Sequence, residues 1–303
     1  MKQNEILLEA GTNELEIMEF TIGGEVYGIN VAKIREILQM MPIKPMQKAH
    51  PDVEGIFKPR DKVLTVISLA SYLNLPASEN PERDLFIVTN FNNQDFAFHV
   101  HSVVGIDRIS WAQMKKPDAV IYGGKEGVAT AIAEYDGRLI TILDFEAIVA
   151  DISPETGIQL SDIEAMGARG RSTKPILIAE DSMMLSKMIV QSLHRAGYEN
   201  TIKTNNGQEA FTFLSEIKES GDEIKSHVAC IISDIEMPLM DGHRLTKLVK
   251  SDAVLKNIPV ILFSSLISEE VRIKGEQLGA DEQITKPEIA KLVGVVDRLT
   301  TAD

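Results

Sequence analysis

The sequence predicts a two-domain protein, with a mainly-β domain followed by a doubly wound α/β domain. Three observations carry that expectation. The chain has 303 residues, and beyond about 250–300 residues a single core gives way to separate domains. Near residue 153 the hydrophobic periodicity changes, from short strands at close spacing to strands alternating with amphipathic helices. At the same place lies SPETGIQLSDIEAMGARGRSTK, where Pro154, Gly157, Gly167 and Gly170 mix with Ser, Thr and Arg. The domains are therefore expected at 1–152 and 174–303. A linker over 153–173 would hold one short helix from about Leu160 to Met166.

The N-terminal half opens with alternating apolar residues from Leu15 to Ile22, a Gly23-Gly24 turn, and a second strand from Val26 to Ile29. Further strands are expected at Val63 to Leu69, Leu85 to Thr89, Phe96 to Val100, Val103 to Ile109, Val128 to Ala133 and Leu139 to Leu143. Asn92-Asn93 and Asp136-Gly137 supply turns. Short helices are expected at Val31 to Leu38 and Phe145 to Val149. Many short strands at such spacing point to a barrel-like or sandwich architecture.

After residue 174 the pattern is strand, helix, strand. Ile176 to Glu180 is a continuous apolar strand. The helix that follows carries Leu185, Met188, Ile189, Leu193 and Ala196 on one face and stops at Gly197. Strands at Thr201 to Thr204, Val228 to Ser233, Pro259 to Phe263 and Glu282 to Thr285 each precede helical sequence. Uninterrupted apolar strands suit a parallel sheet covered on both faces, so this half reads as a (βα)5 doubly wound domain.

Composition narrows the function. The chain is 44% hydrophobic and 25% charged, with 31 basic against 45 acidic residues and a net charge of -14. An excess of acid does not bind nucleic acid electrostatically. With one cysteine, Cys230, there is neither a disulfide framework nor a cysteine-rich zinc site. No run approaches the roughly 20 apolar residues that cross a bilayer. The opening MKQNEILLEAG is too acidic and its apolar run too short for a secretion signal. A cytoplasmic protein is expected, without direct membrane insertion. His99 and His101 read as ordinary surface residues, and Gly123-Gly124-Lys125 as a turn.

In an open α/β sheet, ligands bind at the carboxyl ends of the strands. There the sequence places Glu180 and Asp181 after the first strand, Asp234 after the third, Ser264 and Ser265 at the fourth, and Lys286-Pro287 after the fifth. Carboxylates converging on one edge call for a hard cation, and oxygen ligands suit Mg²⁺. Asp234 could then attack a phosphoryl group, with Lys286 supplying a point charge and Ser264 a hydroxyl donor.

These residues, together with Asp234-Ile-Glu-Met-Pro-Leu-Met-Asp-Gly242, resemble the response-regulator receiver domain. The resemblance implies that Asp234 accepts a phosphoryl group from a histidine kinase. It further implies that Glu180, Asp181, Asp234 and the backbone carbonyl of Glu236 hold Mg²⁺, and that Ser264 and Lys286 contact the phosphoryl group. Two positions depart from the family pattern. The switch hydroxyl is a serine, and Gln283 occupies a position that often carries an aromatic switch residue.

The first domain shows no such reactive set and reads as a binding module. Phe20-Thr-Ile-Gly-Gly-Glu-Val-Tyr-Gly-Ile-Asn30 resembles the opening of CheW-type chemotaxis coupling domains. Val53-Glu-Gly-Ile-Phe-Lys-Pro-Arg60, leading into Val66-Ile-Ser-Leu69, is similar to that family's next motif, and Gly127 to Phe145 to its closing strands and helix. The resemblance implies two small β-barrels that link chemoreceptor signalling tips to a CheA-type histidine kinase. Ile34 and Ile37, on the expected helix face, and Arg60 are the candidate partner contacts.

A coupling domain followed by a receiver resembles the CheV family of chemotaxis scaffolds. The implied function is non-enzymatic signal transduction at receptor arrays, regulated by phosphorylation of Asp234 within a two-component system. Two alternatives fit less well. A haloacid-dehalogenase-type phosphatase would want a second Asp where Glu236 stands, and a transcription factor would want a helix-turn-helix pattern.

Overall fold

The computed structural model describes residues 14–91, 94–110, 113–115, 117, 127–154, 158–167, 169–265 and 269–301. The expected Asn92-Asn93 and Gly123-Gly124-Lys125 turns lie outside them. The chain divides into two compact units between Ser153 and Pro154.

In the N-terminal unit, β1 (Glu14–Ile22) and β2 (Glu25–Asn30) form the expected hairpin. Gly23 and Gly24 both adopt positive φ, of 60° and 87°, the region glycine enters without steric cost. β3 (Ile34–Gln39), β4 (Val53–Phe57), β5 (Leu64–Ser68) and the single-turn α1 (Leu69–Tyr72) follow. Next come β6 (Leu85–Phe91), β7 (Gln94–Val100), β8 (Ser102–Ser110) and β9 (Met114–Lys115). The unit closes with β10 (Ala129–Tyr135), β11 (Arg138–Leu143) and α2 (Phe145–Ile152), which Asp144 caps by accepting the Ala147 N–H at 3.0 Å. Two mainly antiparallel sheets result, in the orders β8-β1-β2-β11-β10-β9 and β3-β6-β7-β5-β4.

Strand alternation supplies three apolar clusters. One face of the first sheet buries Ile17, Ile109, Ala131, Ile140 and Ile142 together. One face of the second buries Phe57, Leu64, Val66, Phe86, Val88 and Ala97. The opposite faces share a third cluster, in which Met18, Phe20, Ile22 and Leu143 meet Ile67, Ile87, Phe96, Phe98, Phe145 and Ile148. Because successive side chains point to opposite faces, sheets covered on both sides demand strands apolar at nearly every position.

One expected element is different. Val31 to Leu38 is not a helix. A 3-10 turn over Val31–Lys33, capped by Asn30 accepting the Ala32 N–H at 2.9 Å, leads into β3, which pairs antiparallel with β6. Ile34 and Ile37 therefore do not share a helix face. Ile34 packs against the shared cluster, and the register shift after it sets Ile37, opposite Ile87, on the same side of the sheet as Ile34, opposite Thr89, but exposed.

The C-terminal unit begins with α3 (Leu160–Glu164) and continues with β12 (Ile176–Ala179), α4 (Met183–Arg195), β13 (Thr201–Thr204), α5 (Gly207–Ser220) and α6 (Ile224–His227). β14 (Cys230–Ser233), α7 (Gly242–Ser251), β15 (Val260–Ser264), α8 (Glu269–Gln277), β16 (Glu282–Thr285) and α9 (Ile289–Thr301) complete it. The strands are parallel in the order β13-β12-β14-β15-β16, so the order reverses between β12 and β14. Helices cover both faces. α4 and α9 pack on one through Ile189, Leu193, Leu292, Val293 and Val296. α5 and α7 pack on the other through Ala210, Leu214, Leu245 and Val249.

Candidate functional site

The switch in strand order opens the sheet edge at which β12 and β14 end side by side, with Ala179 in register with Ser233. The next residues are Glu180 and Asp234, both buried, with Asp181 half-buried beside them. One carboxylate oxygen from each of the three lies within 4.8 Å of the others. Lys286, at the end of β16 and 2% exposed, extends its ammonium between two of them. Its Nζ donates to Glu180 Oε2 at 2.8 Å and to Asp234 Oδ2 at 3.0 Å. The other Asp234 oxygen accepts the Ile235 backbone N–H at 2.6 Å.

Neighbouring backbone holds these groups in place. Ser182 caps α4, and its N–H donates to Glu180 Oε1 at 3.3 Å, so the helix starts on the acid pair. Ser233 Oγ donates to the Asp234 carbonyl at 2.8 Å. After Asp234 the chain turns through Glu236, which is half-buried, and re-enters helix at Gly242. A β-carbon at Gly242 would lie 2.1 Å from the Asp234 carbonyl oxygen, so only glycine fits there. Ser264 is buried at the end of β15, and its carbonyl accepts the Lys286 backbone N–H at 3.1 Å. The structure thus brings Glu180, Asp181, Asp234, Ser264 and Lys286 to one edge, as the strand-end reading expected.

Burial drives the Glu180 carboxyl well above the usual carboxylate range. Asp234 and Asp181 push the same way, and Lys286 opposes them through its charge and hydrogen bond. Three carboxylates facing one ammonium leave an excess of negative charge in a buried place. Hard oxygen donors converging in this way suit a hard divalent cation, and the residues fit Mg²⁺ chemically. Gln283, at the position that often carries an aromatic switch residue in the receiver family, donates from Nε2 to the Arg272 carbonyl of α8 at 2.7 Å, with Gly275 leaving room for its amide.

In the N-terminal unit, Arg60 is exposed, with Nη2 at 3.4 Å from Glu36 Oε2 on β3. Ile37 is exposed on that strand, at the edge of the second sheet. His99 is no ordinary surface residue. Its Nδ1 meets Glu54 Oε1 at 2.7 Å and its Nε2 meets Asp84 Oδ2 at 2.9 Å, with Asp84 buried and also accepting from Ser78 Oγ at 2.7 Å. His101 Nδ1 accepts the Gly23 N–H at 3.1 Å, which fixes the first hairpin turn. Glu19 is fully buried on β1 near Arg138, another charge that local pattern did not mark.

Comparison with known proteins agrees with this division. The CheW-like domain family matches residues 16–153, and the response regulator receiver domain family matches residues 176–297. Over nearly the whole chain, the chemotaxis protein CheV3 of Helicobacter pylori is 27% identical, covering 95% of this chain and 95% of its own. CheV2 of the same organism is 28% identical, covering 92% and 93%. The chemotaxis protein CheW of Thermotoga maritima is 27% identical over 48% of this chain and 94% of its own. The chain is thus a CheW-like domain followed by a response regulator receiver domain, the architecture of the CheV-type chemotaxis proteins that it resembles.

Proposed function

We propose that the chain is a non-enzymatic scaffold coupling chemoreceptors to a CheA-type histidine kinase, and that phosphorylation of Asp234 tunes the coupling. The observation that carries the phosphorylation reading is the Lys286 ammonium held between Glu180 and Asp234 in a buried, acid-rich site. The CheW-like match over 16–153 supports the coupling role. Among the described residues no helix is long and apolar enough to cross a membrane.

In the transfer step, a carboxylate oxygen of Asp234 forms a bond to phosphorus while the bond from phosphorus to the donor's imidazole nitrogen breaks. The products are an acyl phosphate on Asp234 and an imidazole that takes a proton from solvent. Lys286 turns from the carboxylates toward the phosphoryl oxygens, and the Ser264 hydroxyl donates to one of them. When bound by Glu180, Asp181, Asp234 and the Glu236 carbonyl, Mg²⁺ supplies positive charge for the phosphoryl oxygens. Burial strengthens each of these attractions by excluding water. Partners would meet the exposed Arg60 and Ile37 at the β3 edge of the second sheet, with Ile34 supporting β3 from within.

The test is a capture experiment with the full chain, receptor signalling fragments and the kinase, with and without phosphorylation. Wild-type protein is expected to take label from phosphorylated kinase in Mg²⁺. Asp234→Asn is expected to take none while still capturing both partners. Label persisting in Asp234→Asn would show that the acceptor lies elsewhere, and failure to capture receptor and kinase would overturn the coupling role.

A further inference from the structure

Of the segment expected to be a linker, 153–173, the stretches 158–167 and 169–173 are bound to the receiver domain. Ile158 and Ile163 are 3% and 2% exposed and pack with Ile189 and Leu193 of α4 and Val293 and Val296 of α9. Arg169 donates from Nε to the Ala196 carbonyl at 3.0 Å, and its guanidinium pairs with Asp297 of α9. The Tyr198 hydroxyl donates to the same Asp297 at 2.7 Å. Glu164 pairs with Arg195, and Arg171 lies 3.3 Å from Glu199. Ser172 then exchanges backbone hydrogen bonds with Gly197 and Glu199, at 2.8 and 3.0 Å.

Gly197 shows how closely the segment is fitted. It ends α4 at φ +98°, and a β-carbon there would lie 2.3 Å from the Gly170 carbonyl oxygen. A tether that merely spans a gap needs neither two buried isoleucines nor a glycine opposite its backbone.

Both helices that hold this segment begin at the acid site. α4 starts at Met183, directly after Glu180 and Asp181, and its cap residue is bonded to Glu180. α9 starts at Ile289, with only Pro287 and Glu288 between it and Lys286. The segment lies across the far end of α4, at Ala196 and Gly197, and reaches Asp297 in the last turns of α9. A phosphoryl group on Asp234 would compete with Glu180 for Lys286, and Glu180 also accepts the N–H of the residue that caps α4. Close-packed contacts do not deform continuously, so the fit at Gly170 and Gly197 gives way before it stretches.

We infer that the segment is a strap whose grip on α4 and α9 is loosened by phosphorylation at Asp234, so that the acid site sets the length of free chain between the two domains. Extended, the freed residues span on the order of 50 Å. The inference rests on phosphorylation at Asp234 as proposed above.

The test is hydrogen exchange on the full chain, with and without acetyl phosphate and Mg²⁺, with intact mass read on the same samples. Coupling of ordinary size, about 5- to 150-fold, is expected to speed exchange of the strap amides within that range, the Ser172 amide among them. A phosphoryl mass gain with strap exchange unchanged or slower overturns the strap and leaves the phosphorylation reading standing. No mass gain overturns the phosphorylation reading and the strap with it. Coupling is also reciprocal. Ile163→Asp and Gly197→Ala loosen the strap without touching the acid site, so whichever exchanges faster should bind beryllofluoride with Mg²⁺ more tightly by the factor seen for phosphorylation. Unchanged affinity in such a variant overturns the coupling.

Discussion

Replacing Asp234 by Asn is expected to stabilise the receiver domain in the absence of divalent cations. Three carboxylates converge within 4.8 Å, and Lys286 meets Asp234 at 3.0 Å. At an effective dielectric of about 20, a like pair at the outer separation repels by about 3.5 kcal/mol and the Lys286 pair attracts by about 5.5 kcal/mol. At a pH above the raised Glu180 value, where that carboxyl is ionised, Asp234 faces two like charges and one opposite, so removing its charge gains on the order of 1 kcal/mol, less what solvent screens at half-exposed Asp181. Asn retains an acceptor for the Ile235 N–H, so the loop geometry survives. Urea unfolding followed by far-ultraviolet circular dichroism, which the receiver helices dominate, reads the difference. Adding Mg²⁺ should reverse the order, because a cation at 100 times its dissociation constant stabilises the protein that binds it by about 2.7 kcal/mol. Two results would refute the electrostatic account: an Asn variant less stable than wild type without Mg²⁺, or the same gain from Mg²⁺ in both proteins.

Two further outcomes follow from the geometry. Burial pulls the His99 imidazole down, but the hydrogen bonds and charges of Glu54 and Asp84 outweigh it and hold its pKa above the ordinary histidine value. A raised folded-state pKa gives stability that is fully present below the unfolded value, about 6.5, and is lost as pH rises through the folded value. The CheW-like domain, followed by urea unfolding at a series of pH values, should therefore lose stability as pH rises from about 6.5 through the folded value, and His99→Gln should lose that part of the slope; an equal slope in both proteins would contradict the charge bracket. Gly242→Ala places a methyl 2.1 Å from the Asp234 carbonyl, and overpacking of this kind costs about 1–3 kcal/mol. Thermal unfolding should show the loss, and intact-mass phosphorylation by acetyl phosphate should slow; normal values for both would mean that the loop after Asp234 relaxes freely.

The acid site was legible because its signals are local and ordered. Each functional group stands at or just after the end of a strand, and a parallel sheet brings strand ends together without further information. The region of Ile34 and Ile37 reads as a helix for an equally local reason. Ile34, Ile37 and Leu38 fall at the i, i+3, i+4 spacing of a helix, yet the segment pairs along β6 with a register shift between Ile34 and Glu36. What decides between the two is distant in sequence. The Lys33 ammonium meets Glu146 at 3.1 Å, and Arg35 meets Asp95 at 2.8 Å. His99 reads as a surface residue in the sequence because its two carboxylate partners lie 45 and 15 residues away, with no spacing rule to connect them.

Glycine in the interdomain segment raises a related difficulty. Gly167, Gly170 and the surrounding Ser and Arg have the composition of a flexible connection, and composition measures only what the unfolded chain can do. A glycine also permits close approach, and the two uses look alike in sequence. Gly197 read as the stop of α4, which it is, with the left-handed backbone such stops favour. The same residue lets the Gly170 carbonyl come within 2.3 Å of where a side chain would begin. Helix capping alone would be satisfied by asparagine at that position; close approach of the backbone would not. Gly197→Asn therefore separates the two roles. If the segment is bound as the structure shows, this variant keeps the helix end and loses protection from exchange in the strap, whereas a loose connection would exchange alike in both proteins.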